Sequence, residues 1–246
     1  MKVISYSLYG NNPRFWKCLV ANMDVIAEIY PDWEVWIHAS EVDSRILNLL
    51  EKKGAHIIHM EPQAGHIGMF WRFRPFWDPN VTRTIVRDAD DLLSYTDKHA
   101  VDLWEESGCH LYTLHAVNTH KKPIIGSLFG LTCDWPKHKL PMPIQGLSSK
   151  YGADEHWLAN GLLPQVKRSW LRLRIQNDGV KNEPGMVTID YVPTPKDSVL
   201  HSPGLLKLAS FSAYMIPDVQ GQRSKRREIG KQYNPADTSD IDEFFK

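Results

Sequence analysis

From residue 2 to residue 60 the chain alternates short apolar runs of strand character with runs of helical period, and this alternation restricts its fold more than any other feature. Lys2 to Leu8 reads as a strand that stops at the turn-forming stretch from Tyr9 to Pro13. Arg14 to Tyr30 then carries Phe15, Leu19, Met23, Ile26 and Ala27 at helical spacing, and Pro31 closes the helix. Glu34 to His38 is a second strand, and Asp43 to Lys53 a short helix with Ile46, Leu47, Leu49 and Leu50 inside and Gly54 as its stop. His56 to Met60 is a third strand. Steps of this kind predict an α/β fold, a mostly parallel sheet with right-handed crossovers, flanked by helices. Such sheets take their ligands in the crevice beyond the carboxyl ends of the strands. The loop that ends the first strand is therefore a candidate nucleotide seat, with Tyr9 either in that seat or simply packed.

The fourth strand, Thr82 to Val86, ends in Arg87-Asp88-Ala89-Asp90. On an extended backbone alternate residues share a face, so Asp88 and Asp90 could leave the sheet edge together and chelate a hard divalent cation that clamps a diphosphate. The plain alternative is a strand-end turn. Between strands three and four lies an aromatic segment, Gly65 to Trp77, in which Phe70, Phe73 and Phe76 read as a cover for the sheet. Arg72 within it needs an anionic partner, a sugar-phosphate or a carboxylate. Thr96 is placed to cap a helix running to Ser107, and His110 to Leu114 is a further strand. Gly126 and Gly130 flank Ser127, Leu128 and Phe129 in an apolar run, and glycines so placed mark backbone approached closely by a neighbouring strand or by a sugar ring. Tyr151 to Leu158 reads as a helix start with an acidic first turn, where Asp154 either complements the helix dipole or serves as a pocket carboxylate.

Lysine plus arginine equals aspartate plus glutamate at 29 each, so no global field commits the chain to nucleic acid or to a membrane. No apolar run is long enough to span a bilayer and no signal peptide is read, so a cytoplasmic setting is expected, the host cytoplasm if the chain is phage-encoded. The three cysteines, Cys18, Cys109 and Cys133, lie far apart without metal-type pairing and suit reduced thiols. Lys167 to Arg174 is basic and interleaved with apolar residues; on a strand Arg168, Trp170, Arg172 and Arg174 would line one face. The stretch from Gly179 to Asp197 is loop-rich, and the end of the chain has a basic run, 222 to 231, followed by an acidic one. Two units are expected, a catalytic domain over residues 1–210 and a basic/acidic tail over 211–246.

Together these stretches resemble the GT-A nucleotide-sugar glycosyltransferases, in particular a small family-8-like bacterial and phage branch. The resemblance is carried by Val3 to Gly10, Tyr30 to Trp33, Met69 to Phe73, Arg87 to Asp90, Ile125 to Gly130, Tyr151 to Asp154, and a late His201-x-x-Gly204-x-x-Lys207. It implies a GT-A (Rossmann-like) fold with a loop-rich C-terminal appendage, and a metal-dependent enzyme that moves a hexose or pentose from a nucleoside diphosphate, UDP being favoured, with retention of configuration. By the same resemblance Asp88, Asp90 and His201 bind Mn²⁺ (or Mg²⁺). Ser7, Leu8, Tyr9, Gly10, Arg72, Arg87, Gly126, Ser127 and Gly204 bind the donor. Lys207 stabilises the leaving diphosphate, and Asp154 stands near the sugar. Two carboxylates and an imidazole leave room for phosphate oxygens around Mn²⁺, which as a Lewis acid assists departure of the diphosphate. His120 is retained where relatives carry an Arg-Asp-His-type run, and is a candidate acceptor contact.

The expected acceptor is a hydroxyl of a surface polysaccharide. An alternative is a hydroxylated pyrimidine in DNA, with Arg172 and Arg174 on the acceptor side and 223 to 231 as a basic arm. Another is a sugar-nucleotide-binding module without turnover. A dinucleotide-binding dehydrogenase is disfavoured, because Tyr9 to Pro13 lacks the G-x-G-x-x-G spacing.

Overall fold

The structure is a computed structural model that describes residues 1–115, 122–134, 149–175 and 184–190. Among the described residues eight strands form one sheet in the order β3-β2-β1-β4-β6-β5-β7-β8. They are β1 (Lys2–Tyr9), β2 (Glu34–Ser40), β3 (Ala55–His59), β4 (Arg83–Val86), β5 (Leu111–His115), β6 (Phe129–Thr132), β7 (Trp170–Ile175) and β8 (Met186–Ile189). All neighbours run parallel except β6, which is antiparallel to both β4 and β5. This is the mostly parallel α/β architecture expected. β8 was not anticipated; it lies within the stretch read as loop-rich, and it pairs with β7 from Arg172–Met186 to Ile175–Ile189.

The helices are α1 (Pro13–Ile29), α2 (Ser44–Lys52), α3 (Tyr95–Ser107), α4 (Ala153–Trp157) and α5 (Leu163–Val166), the last two joined by a π-helical turn, Leu158–Leu162. α1 starts where Asn12 accepts the amide of Arg14 at 3.0 Å with Pro13 preset for the first turn, and α2 starts where Asp43 accepts the amide of Arg45 at 2.8 Å. α3 starts two residues earlier than the sequence indicates. Ser94, not Thr96, is its cap, accepting the amide of Asp97 at 3.3 Å, and Thr96 is buried inside the helix.

Strand parity sorts β1 between two cores. Ile4, Tyr6 and Leu8 join Leu19, Met23 and Ile26 of α1, Leu50 of α2 and Trp104 of α3 on one face. Val3 joins Phe70, Phe73, Phe76, Phe129 and Leu158 on the other. That second layer is built from the aromatic segment Ile67–Trp77, a 3₁₀-type helix, packed against α4 and the turn after it. Phe73 stacks on Phe76 at 5.7 Å and on Trp157 at 5.5 Å between ring centroids, so the three phenylalanines do cover the sheet. Among the described residues no helix is long and apolar enough to cross a membrane.

Candidate active site

A cleft of about 490 Å³ opens at the carboxyl ends of β1 and β4. This is where successive crossovers from β1 diverge to β2 on one side and β4 on the other, the switch point at which open α/β sheets bind ligands. The residues of β1 that face the aromatic layer reach it. Ser7 Oγ accepts the amide of Arg72 at 3.0 Å, which ties the aromatic segment to the strand end. Tyr9 lies over Gly68, where a β-carbon would come within 2.8 Å of its ring, and meets Trp71 edge-on at 5.8 Å. Tyr9 is thus both packed and on the cleft wall. Leu8, of opposite parity, is buried in the α1 core and is not on the wall of this cleft, and Gly10 stands back from the wall with its amide on Ser40 O at 3.1 Å.

Asp88 and Asp90 both enter the cleft, but not along an extended backbone. The strand ends at Val86, and residues 88 to 91 form a turn closed by Asp91 N to Asp88 O at 3.2 Å. The turn hands each carboxylate to a different arginine. Asp88 pairs with Arg72 Nη1, from the aromatic layer, and Asp90 Oδ2 lies 2.5 Å from Arg14 Nη2, from the first turn of α1. The second prong of Arg72 reaches Asp154 Oδ2 at 2.7 Å, with both side chains 7% exposed. Arg72 therefore spans Asp88 and Asp154, and its anionic partners are carboxylates of the chain itself. Asp154 is buried at the start of α4, behind Gly152 in the left-handed conformation. Gly126 accommodates this pair, while Ser127 makes a hydrogen bond to Asp91.

Arg87 is a correction to the sequence reading. It has the parity of Ile85, so it turns to the α3 side and is 1% exposed, away from the cleft. There its Nη2 donates to Asp97 Oδ1 and to Tyr112 Oη, both at 2.5 Å, and its Nη1 to the carbonyls of Val86, Ser127 and Phe129. Tyr30 Oη donates to the other oxygen of Asp97 at 2.7 Å. Burial opposes the charge of Arg87, but Asp97 with Tyr112 and Tyr30 holds the guanidinium well above its usual range. This is a framework network that binds α3 to β4 and β5, not a donor contact.

Three cleft features escaped the sequence reading: Arg14, Asp91 and the clamp on the carboxylate turn. Asn22 of α1, fully buried, donates to Asp91 O at 2.6 Å and accepts the amide of Leu93 at 3.0 Å. Burial of the Asp91 carboxyl, then the charge of Asp90, push it up to about 6 against the hydrogen bond from Ser127. An arginine in a first helical turn that holds no acid was the available signal for Arg14. A third aspartate directly after Asp88 and Asp90 was the signal for Asp91.

Asp88, Asp90, Asp91, Asp154 and Glu155 line the cleft against only Arg14 and Arg72 among the described residues. These are hard oxygen donors, and the excess of carboxylate suits a divalent cation. They form only part of a shell: among the described residues no group of three His, Cys, Asp or Glu side chains converges on one point. His201, Gly204 and Lys207 lie outside the described residues, as do His120 and the boundary at 210 with the tail beyond it. Trp170, Arg172 and Arg174 do share a face of β7. Arg172 stacks over Trp170 at 4.9 Å, the indole donates to Thr113 Oγ1 at 3.0 Å, and Arg174 Nε donates to Thr188 Oγ1 at 3.0 Å.

No family model matches the chain, and no curated protein matches it. Solved structures do. The galactosyltransferase LgtC in complex with donor and acceptor sugar analogues is similar at 10% identity over 92% of this chain and 100% of that one, with a TM-score of 0.47. Glucosyl-3-phosphoglycerate synthase from Mycobacterium tuberculosis, in complex with Mn²⁺, UDP and glucosyl-3-phosphoglycerate, is similar at 13% identity over 88% and 81%, with a TM-score of 0.49. TarS of S. aureus is similar at 13% over 93% and 69%, with a TM-score of 0.47. Likenesses this distant carry no argument about what the present chain binds or transfers, and the function is argued from the cleft.

Proposed function

We propose that the chain transfers a glycosyl group from a nucleoside-diphosphate sugar to an acceptor hydroxyl, with a divalent cation held at Asp88 and Asp90. The observation that carries this reading is the convergence of both carboxylates with the Arg72–Asp154 pair in one cleft at the switch point of the sheet. In this reading Tyr9 and Ser7 border the nucleotide and Asp88 and Asp90 hold the cation. Asp154, oriented by Arg72, faces the sugar, either accepting a hydroxyl hydrogen bond or steadying positive character at the anomeric carbon. The cation supplies Lewis acidity to the departing diphosphate. His201 as a third ligand and Lys207 at the diphosphate remain part of the proposal on the strength of the sequence resemblance, as do UDP as the donor nucleotide and retention of configuration.

A glycan acceptor is favoured over DNA. The face of β7 that would have met phosphates and bases is engaged within the protein, Trp170 carrying Arg172 on its ring and Arg174 bonded to β8. The deciding experiment is a thermal-shift panel of UDP-, GDP-, dTDP- and ADP-sugars with and without Mn²⁺, followed by donor hydrolysis with the sugar that binds. A ligand in hundredfold excess over its Kd stabilises by about 2.7 kcal/mol, enough to raise the melting temperature by several degrees. A shift that needs Mn²⁺ and turnover of that donor support the reading. Absence of a shift with every donor overturns it, and binding without any hydrolysis or transfer supports a non-catalytic binding module instead.

A further inference from the structure

We infer that Tyr151, with His66 at its edge, is a stacking platform for the acceptor and takes the apolar face of a neutral sugar ring. This rests on the nucleotide-sugar reading and names the class of acceptor that the site would take. Met1, Tyr151 and Val187 are the large apolar side chains left exposed among the described residues, and of these only Tyr151 stands on the cleft wall. Its side chain is 85% exposed. A lone apolar side chain on an open surface needs no explanation, but ligand sites are concave and lined by aromatic rings with a few polar groups beside them. Tyr151 has that setting.

The ring is exposed on a backbone that is held. The amide of Ala153 donates to Lys150 O at 3.2 Å, and the amide of His156 to Gly152 O at 3.1 Å. From across the cleft mouth the amide of His66 donates to Ser149 O at 3.2 Å. At this junction the two loops touch so closely that a β-carbon on Gly65 would come within 2.9 Å of Ser149 Cβ. The imidazole of His66, itself exposed and on the cleft wall, meets the Tyr151 ring at 5.8 Å and 77°. Two loops are thus pinned together so as to present one ring to water, and stacking on a ring already fixed in place loses little freedom on binding.

The neighbours of Tyr151 select the ligand. Asp154 follows three residues later, at most about 11 Å along the chain, so the ring stands within a sugar unit or two of the carboxylate that faces the transferred sugar. Tyr9, the other tyrosine of the wall, is packed on Gly68 and Trp71 at the end of β1, on the side given to the nucleotide. Asp154 and Glu155, one turn beyond Tyr151, line the same cleft with Asp88, Asp90 and Asp91. Such a wall repels a phosphate- or carboxylate-bearing acceptor. It suits a neutral ring, whose hydroxyls donate to carboxylates while its C–H face lies on the phenol.

The test is saturation-transfer difference NMR of wild type, Tyr151→Ala and Tyr151→Phe. The probes are methyl β-D-galactopyranoside, methyl β-D-glucopyranoside, methyl α-D-mannopyranoside and, as an anionic counterpart, galacturonic acid, each with and without UDP and Mn²⁺. The expected result is that at least one neutral glycoside binds wild type, with saturation concentrated on the C–H protons of one ring face, and binds more tightly than galacturonic acid. Tyr151→Ala weakens it about five- to tenfold, as expected from removing the apolar surface on which it lies, whereas Tyr151→Phe keeps most of the affinity. Both variants should melt with wild type, since the side chain is exposed. No glycoside binding to wild type, glycoside binding unchanged in Tyr151→Ala, or preference for galacturonic acid overturns the inference. So does weakening of UDP but not of the glycosides in Tyr151→Ala, which would make the ring a seat for the nucleobase. If a donor sugar binds and turns over while the glycosides ignore Tyr151, the proposed function stands and the platform falls. If the glycosides bind through Tyr151 but no nucleotide-sugar binds, the platform stands and the transferase reading falls.

Discussion

Gly126 leaves no room for a β-carbon beside the carboxylate of Asp154. A methyl group added there would come within 2.7 Å of Asp154 Oδ2 and 2.8 Å of Arg72 Nη2. Gly126→Ala should therefore push the Arg72–Asp154 pair apart while leaving the apolar cores intact. Displacements of this size in a catalytic site lower turnover by about a hundredfold. Gly130→Ala makes the contrast, since its β-carbon would meet the rings of Tyr112 at 2.6 Å and Trp104 at 2.9 Å. Overpacking there should cost about 1–3 kcal/mol of stability. Parallel kinetics and urea melts of the two variants check the difference, and equal effects on both readouts would refute it.

Asp90→Asn keeps the shape of the side chain and removes the charge that a hard cation needs. The expected outcome is loss of the Mn²⁺-dependent thermal shift by the donor with a melting temperature near wild type in the absence of ligand. Near-normal turnover in Mn²⁺ would remove Asp90 from the metal site.

Asp97 neutralises Arg87 in the interior, where the arginine is 1% exposed. Asp97→Ala leaves that guanidinium buried without its carboxylate, which costs about 3–5 kcal/mol. Chemical denaturation measures the loss. The folded fraction should still bind the Mn²⁺-dependent donor, because neither Arg87 nor Asp97 lines the cleft; a large loss of donor affinity in the folded protein would return Arg87 to the site.

His38 on β2 is 1% exposed, its Nδ1 is 3.3 Å from Tyr6 O, and burial pushes its pKa down from 6.5 to about 4. Below pH 6.5 the unfolded chain takes up a proton that the folded chain refuses, so this contribution is intact above 6.5 and falls away as pH drops to about 4. The loss approaches about 3 kcal/mol at the acid end. His38→Asn should flatten the stability profile between pH 6.5 and 4, measured by urea midpoints across that range; an unchanged slope would exclude His38 as its source.

The strands and helices were legible because their signals are local. The turn residues from Tyr9 to Pro13, the caps Asn12 and Asp43, and the helical spacing of Leu19, Met23 and Ile26 act within a few residues of themselves. Asp88 and Asp90 were legible as a pair at a strand end, although the geometry that brings them to the cleft is a turn and not a shared strand face. The cap of α3 was misread because Ser94 and Thr96 are both competent acceptors, and the choice between them is made by which one the packing of α3 buries. β8 has no strong pattern of its own and exists by pairing with β7.

By itself the sequence determined that an α/β sheet forms, where its strands end, and that carboxylates stand at one of those ends. Strand periodicity sorts side chains into two faces, but it does not say what covers either face. Only tertiary packing decided that Arg87 turns to Asp97 and the core while Asp88, its neighbour, turns to Arg72 and the cleft. Arg72 and Asp154 meet across 82 residues of chain, and Arg14 reaches Asp90 from another helix. The partner of a charged side chain is set by which distant elements dock beside it, because a buried charge goes to whatever counter-charge the packing supplies, however far away in the chain that group lies.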